Sequence, residues 1–228
     1  MMENQKLLPV PELFKKSFKL YSSRMWVMLR LGLVSWASSV IIVAVFGLAG
    51  LATFLAAWGT SALNLTAVLI FLIGILLMII VTALVQVALF CVLKDEYAQT
   101  SLKDLLKISW GKIGAYYWIV ILRSLIVLAG CLLLIVPGII FSVWFSLAPY
   151  VYIFEGLKGS KALSRSKELV KGRTFAVFGR LLLFIILAIL VSSISRLGFL
   201  INSLFVMPFG IAYMYTMYED LKMIKSGA

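Results

Sequence analysis

The chain has 228 residues, of which 63% are hydrophobic and only 13% charged, and it carries a net charge of +12. An ordinary soluble domain has about 25% charged residues, so this composition excludes that class and marks an integral membrane protein. The chain contains no histidine, which removes the commonest general base, metal ligand and pH switch together.

Residues 1–24 are polar and basic and do not read as a removable signal peptide, so the first apolar segment is expected to stay in the membrane. A helix needs about twenty apolar residues to cross a bilayer core, because every backbone amide must be satisfied internally. Six crossings are expected on that measure. The first covers 26–56 and the second 67–93, joined by the uncharged, turn-prone "WGTSALNLT". The third covers 115–136, and Pro137 and Gly138 are expected to turn it sharply into a fourth ending near Phe154. The fifth covers 175–195 and the sixth 197–218, where Pro208 is expected to kink the helix.

Of the 21 lysines and arginines, 17 fall in residues 1–24, 94–113, 155–173 and 219–228, while the alternate connections hold only Arg196. The positive-inside rule then predicts both termini in the cytoplasm. "AYYW" at 115–118, "PYVY" at 149–152 and "YMYTMY" at 213–218 are expected to form an aromatic belt at the same edge.

The cytoplasmic segments repeat a pattern. Around Ser17, Ser109 and Ser166, apolar residues recur three and four positions away, notably Leu13, Leu105 and Ala162. Those offsets define one face of a helix with serine at its middle. Nine residues later comes an aromatic (Trp26, Trp118, Phe175), and thirteen or fourteen later an arginine (Arg30, Arg123, Arg180). The pattern predicts a single membrane domain over 1–228 with internal repeats at 10–93, 100–155 and 159–220. Each unit is expected to be a short amphipathic interfacial helix followed by a transmembrane hairpin. Gly172 is expected to end the third interfacial helix.

Basic residues beside an apolar stripe suit a helix lying in the headgroup plane and drawn to anionic lipid; Arg165, Lys171 and Arg173 belong to this set. The plainer alternative is that these charges only mark the cytoplasmic side. The central serines either pack closely or bond a phosphate, and none has the neighbours of a nucleophile. Arg30, Arg123 and Arg180 either reach back to the interface or share an anion pocket, since an ionised group inside a crossing is costly. Asp95, Glu96, Glu155, Glu219 and Asp220 are expected to pair with local lysines and arginines rather than hold a metal. Cys91 and Cys131 read as packing residues, without a disulfide or zinc pattern. Nucleic acid is not an expected partner, because topology accounts for the basic charge.

Pro137, Gly138, Pro149, the "EG" at 155–156, Ala162, Leu163, Ser166, Leu169, Val170 and Gly172 carry a resemblance across residues 135–178. In these the chain resembles a group of mostly bacterial six-span membrane proteins of unknown function, which includes the membrane domain attached to some glycerophosphoryl diester phosphodiesterases. The resemblance implies a membrane module. The soluble, histidine-dependent catalytic barrel of those fusions is not expected in these residues, which contain no histidine.

The expected protein is therefore all-α, with six transmembrane helices in three hairpins, N-in and C-in, in a bacterial cytoplasmic (inner) membrane. It is expected to be non-enzymatic and without a cofactor, engaging anionic membrane lipid, a membrane partner or a lipid-handling enzyme at its inner face. The alternative is a transporter or channel for an anion or amphipathic molecule.

Overall fold

The computed structural model describes residues 7–56, 65–97, 100–193 and 198–226. The connection at 57–64 and the segment 194–197 with Arg196 lie outside the described residues. Among the described residues the regular structure is entirely helical. Five helical stretches are long and apolar enough to cross a membrane: Val10–Ala56, Leu65–Val92, Ile113–Leu133, Ile135–Glu155 and Thr174–Ser193.

Helix α1 (Val10–Ala56) runs unbroken for 47 residues, about 70 Å at 1.5 Å per residue. The separate interfacial helix expected before the first crossing is thus fused to it. No glycine or proline falls between Glu12 and Leu31 to end the helix. Helix α2 (Leu65–Val92) packs back along α1, with Gly74 so close to Phe46 that a Cβ at 74 would lie 2.7 Å from the Phe46 Cβ.

The other two serine-centred segments are separate helices, α3 (Leu102–Trp110) and α7 (Gly159–Val170). Each is followed by a glycine. Gly172 adopts φ 92°, a left-handed angle that only glycine takes without strain, and so closes α7 as the sequence led one to expect.

Helices α4 (Ile113–Leu133) and α5 (Ile135–Trp144) meet at one extended residue, Leu134. The turn expected at Pro137 and Gly138 therefore falls three residues earlier, and both residues lie in the first turn of α5. Proline suits a first turn, where no intrahelical donor is lost. Glycine is required by the neighbour: a Cβ on Gly138 would sit 2.2 Å from Cys131 Sγ and 2.9 Å from its backbone nitrogen.

The fourth expected crossing is not one helix. After α5 come α6 (Ala148–Tyr150), with Pro149 in its first turn, and a π-helical turn Val151–Glu155 closed by Gly156 at φ 74°. Helix α8 (Thr174–Ser193) follows α7. The last region is α9 (Gly198–Ile201), a π-helical turn Asn202–Val206 and α10 (Met207–Ser226). Pro208, the second residue of α10, has no N–H for the carbonyl four residues back, and the widened turn ends two residues before it. Helix α10 runs eight residues past the expected end at 218 and carries Glu219 and Asp220 inward.

The core lies at one end of the bundle. It joins Leu13 to Leu31 of α1, Ala83 to Val92 of α2, Val143 to Ile153, the apolar face of α7 and the second half of α10. Beyond it the hairpins are exposed. At the α4–α5 tip Leu132, Leu133 and Leu134 are 80%, 78% and 68% exposed, and α1 shows Ile41, Leu48 and Leu55 outward. Apolar surface this continuous has hydrocarbon rather than water as its solvent.

Candidate functional site

The three central serines all sit in the core, each fully buried. Ser17 Oγ donates to the Leu13 carbonyl at 2.7 Å and meets the Thr216 hydroxyl of α10. Ser109 Oγ donates to the Leu105 carbonyl at 2.7 Å. Ser166 Oγ donates to the Trp144 carbonyl at 2.6 Å, tying α7 to α5. Four residues before each serine, Leu13, Leu105 and Ala162 are likewise fully buried. These three hydroxyls are buried and hydrogen-bonded inside the protein, as close helix packing allows.

Such packing makes size matter more than chemistry. Ser166→Ala is expected to cost about 1 kcal/mol, for one lost hydrogen bond, and Ser17→Ala more, since it also loses the contact with Thr216. Leucine at either position is expected to cost about 3 kcal/mol by overpacking. Thermal unfolding in mild detergent checks the order.

The aromatics nine residues beyond each serine point the other way. Trp26, Trp118 and Phe175 are 72%, 56% and 89% exposed, as are Phe18 and Trp110, each directly after a central serine. The tyrosine belt expected from the sequence is instead mostly internal. Tyr116, Tyr150, Tyr152, Tyr213 and Tyr218 are buried, each with a hydroxyl partner: Gln86 Oε1, the carbonyls of Ile211, Lys112 and Arg180, and Glu155 Oε1 respectively. A buried tyrosine hydroxyl favours such a partner, and the packed end supplies one to these five, while the hydroxyl of Tyr21, buried in the same core, has none among the described residues.

The three arginines stand in different surroundings. Arg30 is exposed and Arg123 half-buried. Arg180, only 8% exposed, donates from Nη2 to the Leu8 carbonyl, while the Leu8 N–H donates to Asp220 Oδ2 at 2.9 Å. The backbone of one residue thus bridges a buried cation and a buried acid. Among the described residues no contact gathers the three arginines into one pocket.

Arg165, expected at an anion site, is engaged by acids at 3.2 Å to Glu155 and 3.3 Å to Glu168. Burial pulls its guanidinium down, but those two carboxylates outweigh it and leave the group above its ordinary value. Lys171 is exposed and Arg173 half-buried at the start of α8. Pairing of the inner acids with local cations also holds for Asp95 with Arg24 and Glu96 with Lys94. Glu219 instead accepts from Tyr215 at 2.6 Å, and Asp220 from a backbone amide. Cys91 and Cys131 are free thiols, the first buried and the second exposed beside the α5 turn. Among the described residues no three His, Cys, Asp or Glu side chains gather as a metal ion would require.

Sequence reasoning missed Leu8, Gln86 and Thr216. Their partners lie 212, 30 and 199 residues away in the chain, so no local spacing announces them. Comparison with known families, curated proteins and solved structures finds no match.

Proposed function

We propose that the chain is a non-enzymatic, six-span module of a bacterial cytoplasmic membrane that engages anionic lipid at its cytoplasmic face. Both termini lie inside. Three serine-centred segments, at the start of α1 and in α3 and α7, lie along the inner interface, and each leads into a hairpin. The sixth span is built from α9, the π-helical turn and α10.

The observation that carries this reading is the packed end itself. It exposes Trp26, Trp118 and Phe175 together with Lys16, Lys107, Lys161, Lys171 and Lys222. Exposed aromatics anchor at the headgroup level, and lysines beside them draw anionic lipid by about 1 kcal/mol each. The concentration of basic residues in alternate connections supports the sidedness. The resemblance across 135–178 supports the bacterial setting.

Electron spin resonance of spin-labelled lipids around the reconstituted protein tests the lipid part. Phosphatidylglycerol is expected to be held in preference to phosphatidylcholine, and replacing those five lysines with glutamine is expected to remove the preference. Equal selectivity before and after the replacement defeats the proposal.

A further inference from the structure

Helices α5 and α8 are tied together at one level but differ twofold in length. Trp144, the last residue of α5, donates from Nε1 to Oγ1 of Thr174, the first residue of α8, at 2.9 Å. Its carbonyl accepts from Ser166 of α7, and the Lys167 ammonium sits over its ring, 4.6 Å from the centroid. A tryptophan held beside an ammonium and a helix start belongs at the headgroup level. From there α8 runs 20 residues, about 30 Å, which matches the hydrocarbon core of a typical bilayer. Helix α5 has only 10 residues between Trp144 and the break at Leu134, about 15 Å. Helix α4 is longer but ends at the same break, so the shorter helix limits the depth of the tip to about half of an ordinary core.

The tip is unsuited to the middle of a bilayer. Leu132, Leu133, Leu134, Ile135 and Val136 are all exposed, so no other part of the described chain covers them. Where α4 stops and α5 starts, the Leu134 N–H donates to the Gly130 carbonyl and the Gly138 N–H to the Leu134 carbonyl. Among the described residues the carbonyls of Leu132 and Leu133 and the N–H groups of Ile135 and Val136 have no backbone partner. Pro137 has no N–H to offer Leu133. Unpaired backbone groups are costly enough in hydrocarbon that lipid-exposed turns are not found there. A bilayer, in contrast, thins around a short apolar element at a modest cost for each Å. Polar solvent therefore comes to the tip.

We propose that the bilayer is thinned beside the α4–α5 hairpin, with the phospholipid headgroups of the outer leaflet drawn inward to Leu134. The inference rests on the sidedness proposed above and adds a second action on lipid: lysines hold headgroups at the inner edge, and the short hairpin shortens the hydrocarbon on its own flank. Helix α2, with 28 residues, and α8, with 20, are each long enough for a core of ordinary thickness, so the thinning is local to α4 and α5.

Two single-cysteine variants of the full chain test this, Leu133→Cys at the tip and Phe175→Cys in the first turn of α8, each with Cys91 and Cys131 replaced by serine. Both positions are exposed, at 78% and 89%, and a melting temperature within a few degrees of the cysteine-free chain shows that each variant is folded. Each is reconstituted in oriented vesicles of dioleoyl phosphatidylglycerol and phosphatidylcholine and labelled with a membrane-impermeant maleimide from one side at a time. Phe175→Cys is expected to react only from the cytoplasmic side and Leu133→Cys only from the outside. Two aqueous faces joined by about 15 Å of helix are a thinned bilayer.

Leu133→Cys unreactive from both sides, with Phe175→Cys labelled from the cytoplasm, overturns the thinning and leaves the sidedness standing, because the tip then rests in hydrocarbon or under another protein. Phe175→Cys unreactive from both sides also overturns it, because α5 then starts below the headgroups and meets the outer face of an undeformed bilayer. Labelling of Phe175→Cys from the outside, or of Leu133→Cys from the cytoplasm, defeats the thinning and the sidedness together.

Discussion

Gly138→Val is expected to cost about 3 kcal/mol or more. A branched side chain there meets Cys131, and not only its flexible sulfur: the backbone nitrogen and Cα of Cys131 lie 2.9 and 3.0 Å from the position of a Cβ. Gly130 closes the other side, since a Cβ on it would lie 3.1 Å from the Gly138 Cα and 2.7 Å from the Phe141 ring. Two helices joined by one residue cannot separate to relieve the clash without opening the hairpin. Trimming the sulfur tests this account. Cys131→Ala is expected to rescue Gly138→Ala only in part, because the backbone contacts persist. Thermal unfolding in detergent measures both, and full rescue shows that the sulfur alone matters.

Asp220→Ala is expected to cost about 3 kcal/mol, the scale for breaking a buried charge arrangement by removing one partner. The change leaves Arg180 buried without its acid and frees the Leu8 amide, so the segment before α1 loses its anchor. Asp220→Asn keeps an acceptor for Leu8 and is expected to cost about 1 kcal/mol, the value of lost charge assistance. Melting temperatures rank the two, and limited proteolysis is expected to cut before Val10 faster in Asp220→Ala. Equal stability of the alanine variant and wild type contradicts the bridge.

Much of the architecture was legible because a bilayer leaves the backbone little choice. Continuous apolar runs had to become long helices, and the recurrent serine face did mark what the core buries, since a helix repeats its face every three and four residues. Gly172 was legible for the same local reason: a polar helix followed by glycine ends there. The failures are equally physical. Proline and glycine at 137–138 signal a break but do not fix its residue, because both residues also suit the first turn of a helix.

Tyrosines at the ends of apolar runs look alike whether they face lipid or core. Tyr150 and Tyr218 face the core because Ile211 and Glu155 are there to accept their hydroxyls, and that is long-range information. The three arginines share a spacing from their serines but not an environment. Arg180 is captured by Leu8, at the far end of the chain, whereas Arg123 is half-buried on α4 and Arg30 is exposed on α1.

In the proposed topology the packed, lysine-rich end is the cytoplasmic end, with every hairpin leading away from it and returning. Single cysteines at Lys19, Lys107, Lys161 and Lys222, all exposed, sample that end before, between and after the hairpins. Labelling with a membrane-impermeant maleimide in oriented vesicles, with Cys91 and Cys131 replaced by serine, reads the side of each. All four are expected to react only from the cytoplasmic side. Reaction of any one of them from the outside contradicts it.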